Sequence, residues 1–133
     1  MEKLEHIGIA VKNVNEANKL FNVLLGKEHY KIEEVASEGA MTSFFDIGGI
    51  KIELLEATHE DSPIAKFIAK KGEGIHHIAF EVSDIHASLQ KYADLGFELI
   101  NKEPKKGADN KMIFFLHPKS TNGVLIELCQ EIK

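Results

Sequence analysis

The chain has 133 residues, of which 44% are hydrophobic and 28% charged, as in an ordinary soluble globular protein. Its net charge of −5 argues against nucleic acid as the main partner, because phosphate binding favours a basic surface. The single cysteine, Cys129, excludes an intramolecular disulfide and a cysteine-based zinc site, and it fits a reducing cytoplasm. We find neither a signal-peptide pattern nor an apolar run of membrane-spanning length, so we expect a cytoplasmic protein without a membrane segment.

The first part of the sequence predicts a strand, a helix and three further strands. Asn13 or Asn15 can cap the helix, and Gly26 follows its last apolar position. Gly48 and Gly49 predict a two-residue hairpin turn between the last two strands. The predicted elements are a strand over Lys3–Val11, a helix over Asn15–Leu25, a weak strand over Tyr30–Ala36, and strands over Met41–Ile47 and Ile50–Leu55.

A short connector leads to a second part with the same order of elements. Within Thr58–Lys71, Ser62 can cap a short helix that has Pro63 at its first position. Asn101–Asn110 is polar and predicts a loop, and His117–Gly123 predicts a turn. The predicted elements are a strand over Ile75–Val82, a helix over Asp84–Leu95, and strands over Phe97–Ile100, Lys111–Leu116 and Val124–Gln130.

The two parts form an internal repeat. The motif from His6 to Val11 has the same layout as the motif from His77 to Val82, 71 residues later. A repeat of this length predicts duplicated supersecondary units. We therefore expect an α+β fold of two tandem βαβββ modules whose sheets curl around a shared metal site. We assign residues 1–133 to one domain, with module one at 1–56, a linker helix at 57–73 and module two at 74–133.

Each module offers one histidine in its first strand and one glutamate in its last strand. Taken singly, such residues are more often core or surface residues than ligands, but here they recur at matched places. A pseudo-twofold relation would bring two imidazoles and two carboxylates together, a set that suits Mn, Fe, Co, Ni or Zn. Open coordination positions would accept a substrate. The four candidate metal ligands are His6, Glu53, His77 and Glu127.

Recognisable motifs span nearly the whole chain: His6–Ala10, Lys51–Glu56, Asp61–Phe67, Gly74–Val82, Phe115–Ser120 and Gly123–Leu128. Together they resemble the vicinal-oxygen-chelate superfamily (glyoxalase/bleomycin-resistance-like) and, within it, the methylmalonyl-CoA epimerase family. The stretches at 61–65, 117–120 and 123–128 are the specific ones. The His/Glu pattern alone would fit many members of the superfamily.

The resemblance implies a divalent metal, most often cobalt or manganese and alternatively nickel or zinc, at the four candidate ligands. It also implies interconversion of (R)- and (S)-methylmalonyl-CoA by removal and return of the C2 proton through a metal-stabilised enolate. That proton lies between a thioester and a carboxylate, so a nearby cation would spread the enolate charge. We assign Glu127 as the general base on one face of C2, either as a metal ligand or as a displaced one.

One position departs from the pattern of the family. Some members carry a second glutamate three residues after the glycine of a Glu-x-Gly segment, where it is proposed as the other base. Here Glu38 and Gly39 lead to Thr42 at that place, and threonine is too weak a base for this role. The second base is therefore unassigned, with Glu53 or a bound water as candidates.

The resemblance also bears on substrate binding and assembly. Lys119 and Ser120 lie in the family-like turn and are expected to contact the acyl-CoA thioester, together with Lys105 and Lys106. Surface lysines are usually only solvated, which is the alternative interpretation. A homodimer is expected. Two other functions stay open: a glyoxalase I-type lactoylglutathione lyase with the same ligands, and a metal-free small-molecule-binding protein of the superfamily.

Overall fold

The computed structural model describes residues 1–133, and it shows the expected α+β fold of two tandem βαβββ modules. None of the helices is long and apolar enough to cross a membrane. Contacts divide the chain into two compact units, residues 6–76 and residues 1–5 with 77–133. The assignment of the whole chain to a single domain stays a prediction. The elements are β1 (Lys3–Ala10), α1 (Val14–Leu25), β2 (Lys31–Val35), β3 (Ala40–Ile47), β4 (Ile50–Ala57), α2 (Pro63–Lys71), β5 (Gly74–Glu81), α3 (Ile85–Asp94), β6 (Lys105–Lys106), β7 (Lys111–Leu116) and β8 (Ile126–Glu131).

In the unit of residues 6–76, four strands pair in the order β2-β3-β4-β1. The β1–β4 pair is parallel, and the β2–β3 and β3–β4 pairs are antiparallel. Residues that pair across neighbouring strands point to the same face of the sheet. Glu53 of β4 pairs with Gly8 on one side and Phe44 on the other, and Leu55 pairs with Thr42. We call the face that carries these side chains, together with His6, the ligand face of module one.

The two helices of this unit pack on opposite faces of its sheet. Helix α1 covers the face opposite the ligand face, where Val14 joins Phe45 and Leu54 in a buried apolar cluster. Helix α2 covers one end of the ligand face, where Ile64 packs with Leu55. The two helices therefore cover apolar residues of the sheet. The polar residues of the ligand face lie next to Gly8, which has no side chain.

In the unit of residues 1–5 and 77–133, the strands pair in the order β5-β8-β7-β6. The β5–β8 pair is parallel and the other two are antiparallel. Glu127 of β8 pairs with Ala79 on one side and Phe115 on the other. The face that carries these side chains and His77 is the ligand face of module two. Helix α3 packs on the opposite face through Ile85.

The predicted strand over Phe97–Ile100 is wrong as a regular strand. Only Leu99 forms a bridge, to Leu116, although the amide of Ile100 still donates to the carbonyl of Phe115. The ladder stops because the side-chain Oδ1 of Asn101 accepts the hydrogen bond of the Phe115 amide at 2.9 Å, in place of a strand carbonyl. The predicted loop that follows instead contains the two-residue strand β6.

The repeat extends to the helix caps. Asn13 caps α1 and Asp84 caps α3, each through a side-chain oxygen that accepts a backbone amide of the first turn. The last strand of each module adds a second acceptor. Glu56 Oε1 accepts the Val14 amide at 2.7 Å, and Gln130 Oε1 accepts the Ile85 amide at 2.8 Å. In both modules, the strand that carries the candidate glutamate ligand is therefore tied to the start of the helix.

Replacing Gln130 with alanine should lower the free energy of unfolding by roughly 1–3 kcal/mol, because it removes two hydrogen bonds to backbone groups, each worth about 0.5–1.5 kcal/mol. Gln130 accepts from Ile85 and also donates through Nε2 to the carbonyl of Ser83 at 2.8 Å. Urea unfolding would measure the loss. The matched control is Gln90→Ala, which removes only an exposed contact to Asp94 within α3 and should cost about 0.2–0.5 kcal/mol. Equal losses in the two variants would contradict the cap.

Candidate metal centre

A histidine and a glutamate meet on the ligand face of module one. The distance from His6 Nδ1 to Glu53 Oε2 is 3.2 Å, and each residue is only 3% exposed. The strand register explains the contact, because His6 pairs with Lys51 and Glu53 is the next residue of β4 on the same face. Gly8, which has no side chain, pairs with Glu53 on this face.

The same pair recurs on the ligand face of module two. The distance from His77 Nε2 to Glu127 Oε1 is 3.3 Å, and both residues are buried. The ring of Phe115 meets the His77 ring edge-on at a centroid distance of 6.0 Å. This contact orients the imidazole, and the residue that pairs with Glu127 in β5 is the small Ala79.

Each glutamate is thus flanked by a small residue and a phenylalanine. In module one these neighbours are Gly8 and Phe44, and in module two they are Ala79 and Phe115. The two phenylalanines were not singled out from the sequence, although they are 71 residues apart, like the two histidines. The signal that identifies them is the same 71-residue spacing, applied to the third strand of each module.

The geometry of each pair fits two neighbouring ligands of one divalent cation. Ligand atoms bonded to a metal at about 2.0–2.2 Å and about 90° apart are separated by roughly 3 Å, close to the two His–Glu distances seen here. Burial of a carboxylate is costly without a partner that compensates for lost hydration. Each module therefore holds one buried nitrogen and oxygen pair that can ligate a metal.

Another buried charge was missed by the sequence interpretation. Glu5 is almost completely buried, and its Oε2 lies 4.0 Å from Nζ of Lys111, which is itself buried. Asp109 Oδ2 lies 3.8 Å from the same ammonium. The two carboxylates offset part of the cost of burying the lysine, and the Glu5–Lys111 pair links the start of β1 to β7.

The turn with Lys119 and Ser120 is ordered by its own hydrogen bonds. The Ser120 hydroxyl accepts the Glu98 amide at 3.2 Å and donates to the His117 carbonyl at 3.0 Å. The Lys119 amide donates to Nδ1 of His117, and the Lys119 side chain is exposed. The hydroxyl therefore has a structural role here, and contact of either residue with a substrate stays a prediction.

Two further titratable groups pack in apolar surroundings. Burial lowers the pKa of His76 to about 4, and its ring lies edge-on against Phe67, so this imidazole is neutral at pH 7. Burial raises the pKa of the Cys129 thiol well above its usual range, and Sγ donates to the Phe80 carbonyl. Both side chains therefore behave as packing residues rather than as reactive groups.

Comparison with known proteins gives a consistent family. Residues 5–115 match the model of the glyoxalase/bleomycin resistance protein/dioxygenase superfamily. The chain is 41% identical to the uncharacterized protein YqjC of Bacillus subtilis, over 98% of this chain and 93% of that protein. It is 39% identical to the ethylmalonyl-CoA/methylmalonyl-CoA epimerase of Cereibacter sphaeroides, over 96% of this chain and 97% of that enzyme.

A solved structure agrees with these sequence matches. It is a variant of Streptomyces coelicolor methylmalonyl-CoA epimerase in complex with 2-nitronate-propionyl-CoA, 35% identical to this chain. The alignment covers 98% of this chain and 95% of that one, with a TM-score of 0.94. The chain therefore belongs to the glyoxalase/bleomycin resistance protein/dioxygenase superfamily and, within it, to the methylmalonyl-CoA epimerase family.

Proposed function

We propose that this chain is a metal-dependent epimerase that interconverts (R)- and (S)-methylmalonyl-CoA. The observation that carries the proposal is the duplicated, buried His–Glu pair at matched strand positions. A family membership alone would not require these residues, since a metal-free binding protein of the superfamily has no need of buried ligands. The identity with enzymes that are named methylmalonyl-CoA epimerases supports the choice of substrate.

We propose further that the two pairs, His6 with Glu53 and His77 with Glu127, together hold one divalent cation. Two protein ligands are too few for a stable site, since zinc sites use three or four and harder cations use six or more positions. Four nitrogen and oxygen ligands suit cobalt or manganese, and also nickel or zinc, with positions left for substrate. When bound, the cation would supply positive charge that stabilises an enolate.

The protein groups then have defined tasks. The Glu127 carboxylate accepts the C2 proton, and the electron pair of the broken C–H bond moves into the thioester as an enolate. Return of a proton to the opposite face of C2 gives the other stereoisomer. Glu53 occupies the matching position in module one and is one candidate for that second step, and a bound water is the other. The residues that pair with the two glutamates in the first strands are the small Gly8 and Ala79, and their size supports binding of the methyl-bearing carbon beside the carboxylates.

The remaining assignments rest on the family. The exposed Lys119 would attract the anionic CoA portion of the substrate, a contribution that salt should weaken. We also expect a homodimer and a location in the cytoplasm. None of these assignments is needed for the chemistry at C2.

The test is proton NMR of methylmalonyl-CoA in D2O, with purified protein that carries Co²⁺. We expect the C2–H signal to disappear at a rate proportional to the concentration of protein, because each removal and return of the proton exchanges it with solvent. The hemithioacetal of methylglyoxal and glutathione is the comparison substrate. Turnover of the hemithioacetal without exchange at C2 would overturn the proposal and favour the lyase.

A further inference from the structure

The hydroxyl of Thr42 is buried without a hydrogen-bond partner. Thr42 lies in β3 and is 1% exposed, and its Oγ1 has no partner in the protein. The neighbouring hydroxyl shows the usual arrangement, because Ser43 Oγ, also fully buried, donates to Asn18 Oδ1 at 2.6 Å. A buried hydroxyl without a partner costs free energy, so its presence calls for a reason other than folding.

The strand register places Thr42 on the ligand face of module one. Thr42 pairs with Leu55, and Phe44, the next residue of β3 on this face, pairs with Glu53. Thr42 and Glu53 are therefore diagonal neighbours, whose Cα atoms are about 7–8 Å apart in such a sheet. An acyl group that lies beside the Glu53 carboxylate on the β3 side of this face would be within reach of the Thr42 hydroxyl.

The fold itself has no need of a hydroxyl at this place. The matching residue of module two is Ile113, which follows after the same 71-residue spacing as the histidines and phenylalanines. Ile113 is buried and pairs with Cys129, on the same face as Glu127. An apolar branched side chain thus satisfies the equivalent packing position. The threonine of module one bears a polar atom that the packing does not use.

The unpartnered donor of the Thr42 hydroxyl calls for a ligand with an acceptor oxygen. Glu33 pairs with Thr42 in β2, but its carboxylate lies 3.5 Å from Lys31 Nζ, which offsets its charge. A threonine hydroxyl donates one hydrogen bond and is too weakly basic to remove a proton from carbon. The function of the hydroxyl at this position is therefore to bind and orient a ligand.

We infer that Thr42 Oγ1 binds substrate by donating a hydrogen bond to an oxygen of the acyl group. This inference rests on the proposed function, since the acyl group lies beside Glu53 only if that site binds the thioester. The accepting oxygen is either the thioester oxygen that becomes the enolate or an oxygen of the carboxylate. The first bond strengthens as charge develops and raises kcat, whereas the second is formed already in the bound substrate and lowers KM.

The test compares Thr42→Val with Thr42→Ser in the holoprotein, by the initial rate of epimerisation and by thermal unfolding. Valine keeps the shape and removes the donor, so kcat/KM should fall roughly tenfold to hundredfold, as for a hydrogen bond to a charged group. Its Tm should not fall, because no bond inside the protein is lost. Serine keeps the donor and should retain kcat/KM within about threefold. The matched control is Thr58→Val, at an exposed position.

Three results would overturn this assignment. The first is a wild-type kcat/KM in Thr42→Val. The second is a loss of kcat/KM in Thr42→Ser equal to that in Thr42→Val. The third is a loss of kcat/KM that accompanies a lowered Tm. Both of these results would indicate a packing role for Thr42 rather than a hydrogen bond to substrate. Failure of the proposed function has a different signature, since wild-type protein with bound metal would then leave methylmalonyl-CoA unchanged.

Discussion

Replacing Glu127 with glutamine should slow the exchange of the C2 proton in D2O by about 10²- to 10⁴-fold for the stereoisomer of methylmalonyl-CoA whose proton faces Glu127, and should slow epimerisation in both directions to the same extent. Glutamine keeps the size of the side chain but cannot accept the proton, and a positioned general base contributes about 10²- to 10⁴-fold. The carboxylate is buried, and its Oε1 lies 3.3 Å from His77 Nε2. The rate of loss of the C2–H signal, at saturating Co²⁺, measures the effect.

The matched control is Glu131→Gln, because Glu131 lies in the same strand β8 but is exposed. Its exchange rate should stay within about twofold of the wild type, as for a surface change away from the site. Metal content should be measured for both variants. Exchange at the wild-type rate in Glu127→Gln with metal bound would show that another group removes the proton.

Replacing His77 with alanine should lower the affinity for the metal and, with it, the rate of epimerisation at limiting Co²⁺. If both His–Glu pairs hold one ion, His6→Ala should have the same effect, although the two residues lie in different units. Loss of a ligand or of its supporting contact typically costs at least 10- to 100-fold in affinity or activity. Elemental analysis after dialysis and titration of activity with Co²⁺ would measure both quantities.

The stoichiometry separates one centre from two. A single centre predicts one metal per chain in the wild type, and His6→Ala or His77→Ala alone should each lower the occupancy of that one ion. His86→Ala, at an exposed position of α3, is the matched control and should bind metal normally. Two ions per chain, or metal retained in one single variant only, would contradict the shared centre.

The metal-ligand candidates could be read from the sequence because a strand alternates with period two and the repeat compares like positions. A small residue follows each of His6 and His77 two positions later, on the same face of the strand. Glu53 lies near the end of module one and Glu127 near the end of module two. The structure then brings each histidine within 3.3 Å of the glutamate of its own module. Contact within a module follows from the parallel pairing of its first and last strands.

The one element predicted wrongly lies where a side chain replaces a backbone hydrogen-bond partner. Phe97–Ile100 has the composition of a strand, but the Asn101 side chain accepts the bond that would have extended the ladder. No periodicity of apolar residues reports such a substitution. The same limit applies to the Gln130 side chain, which holds the start of α3 from a strand 45 residues away.

The sequence by itself determined the element order, the duplication and the chemical identity of the ligand candidates, because these depend on local pattern and on residue type. Only the tertiary structure decided which polar atoms are satisfied. It pairs the buried Glu5 with Lys111, engages the Ser120 hydroxyl inside a turn and leaves the Thr42 hydroxyl without a partner. The physical reason is that burial and hydrogen-bond satisfaction depend on atoms brought together from distant parts of the chain.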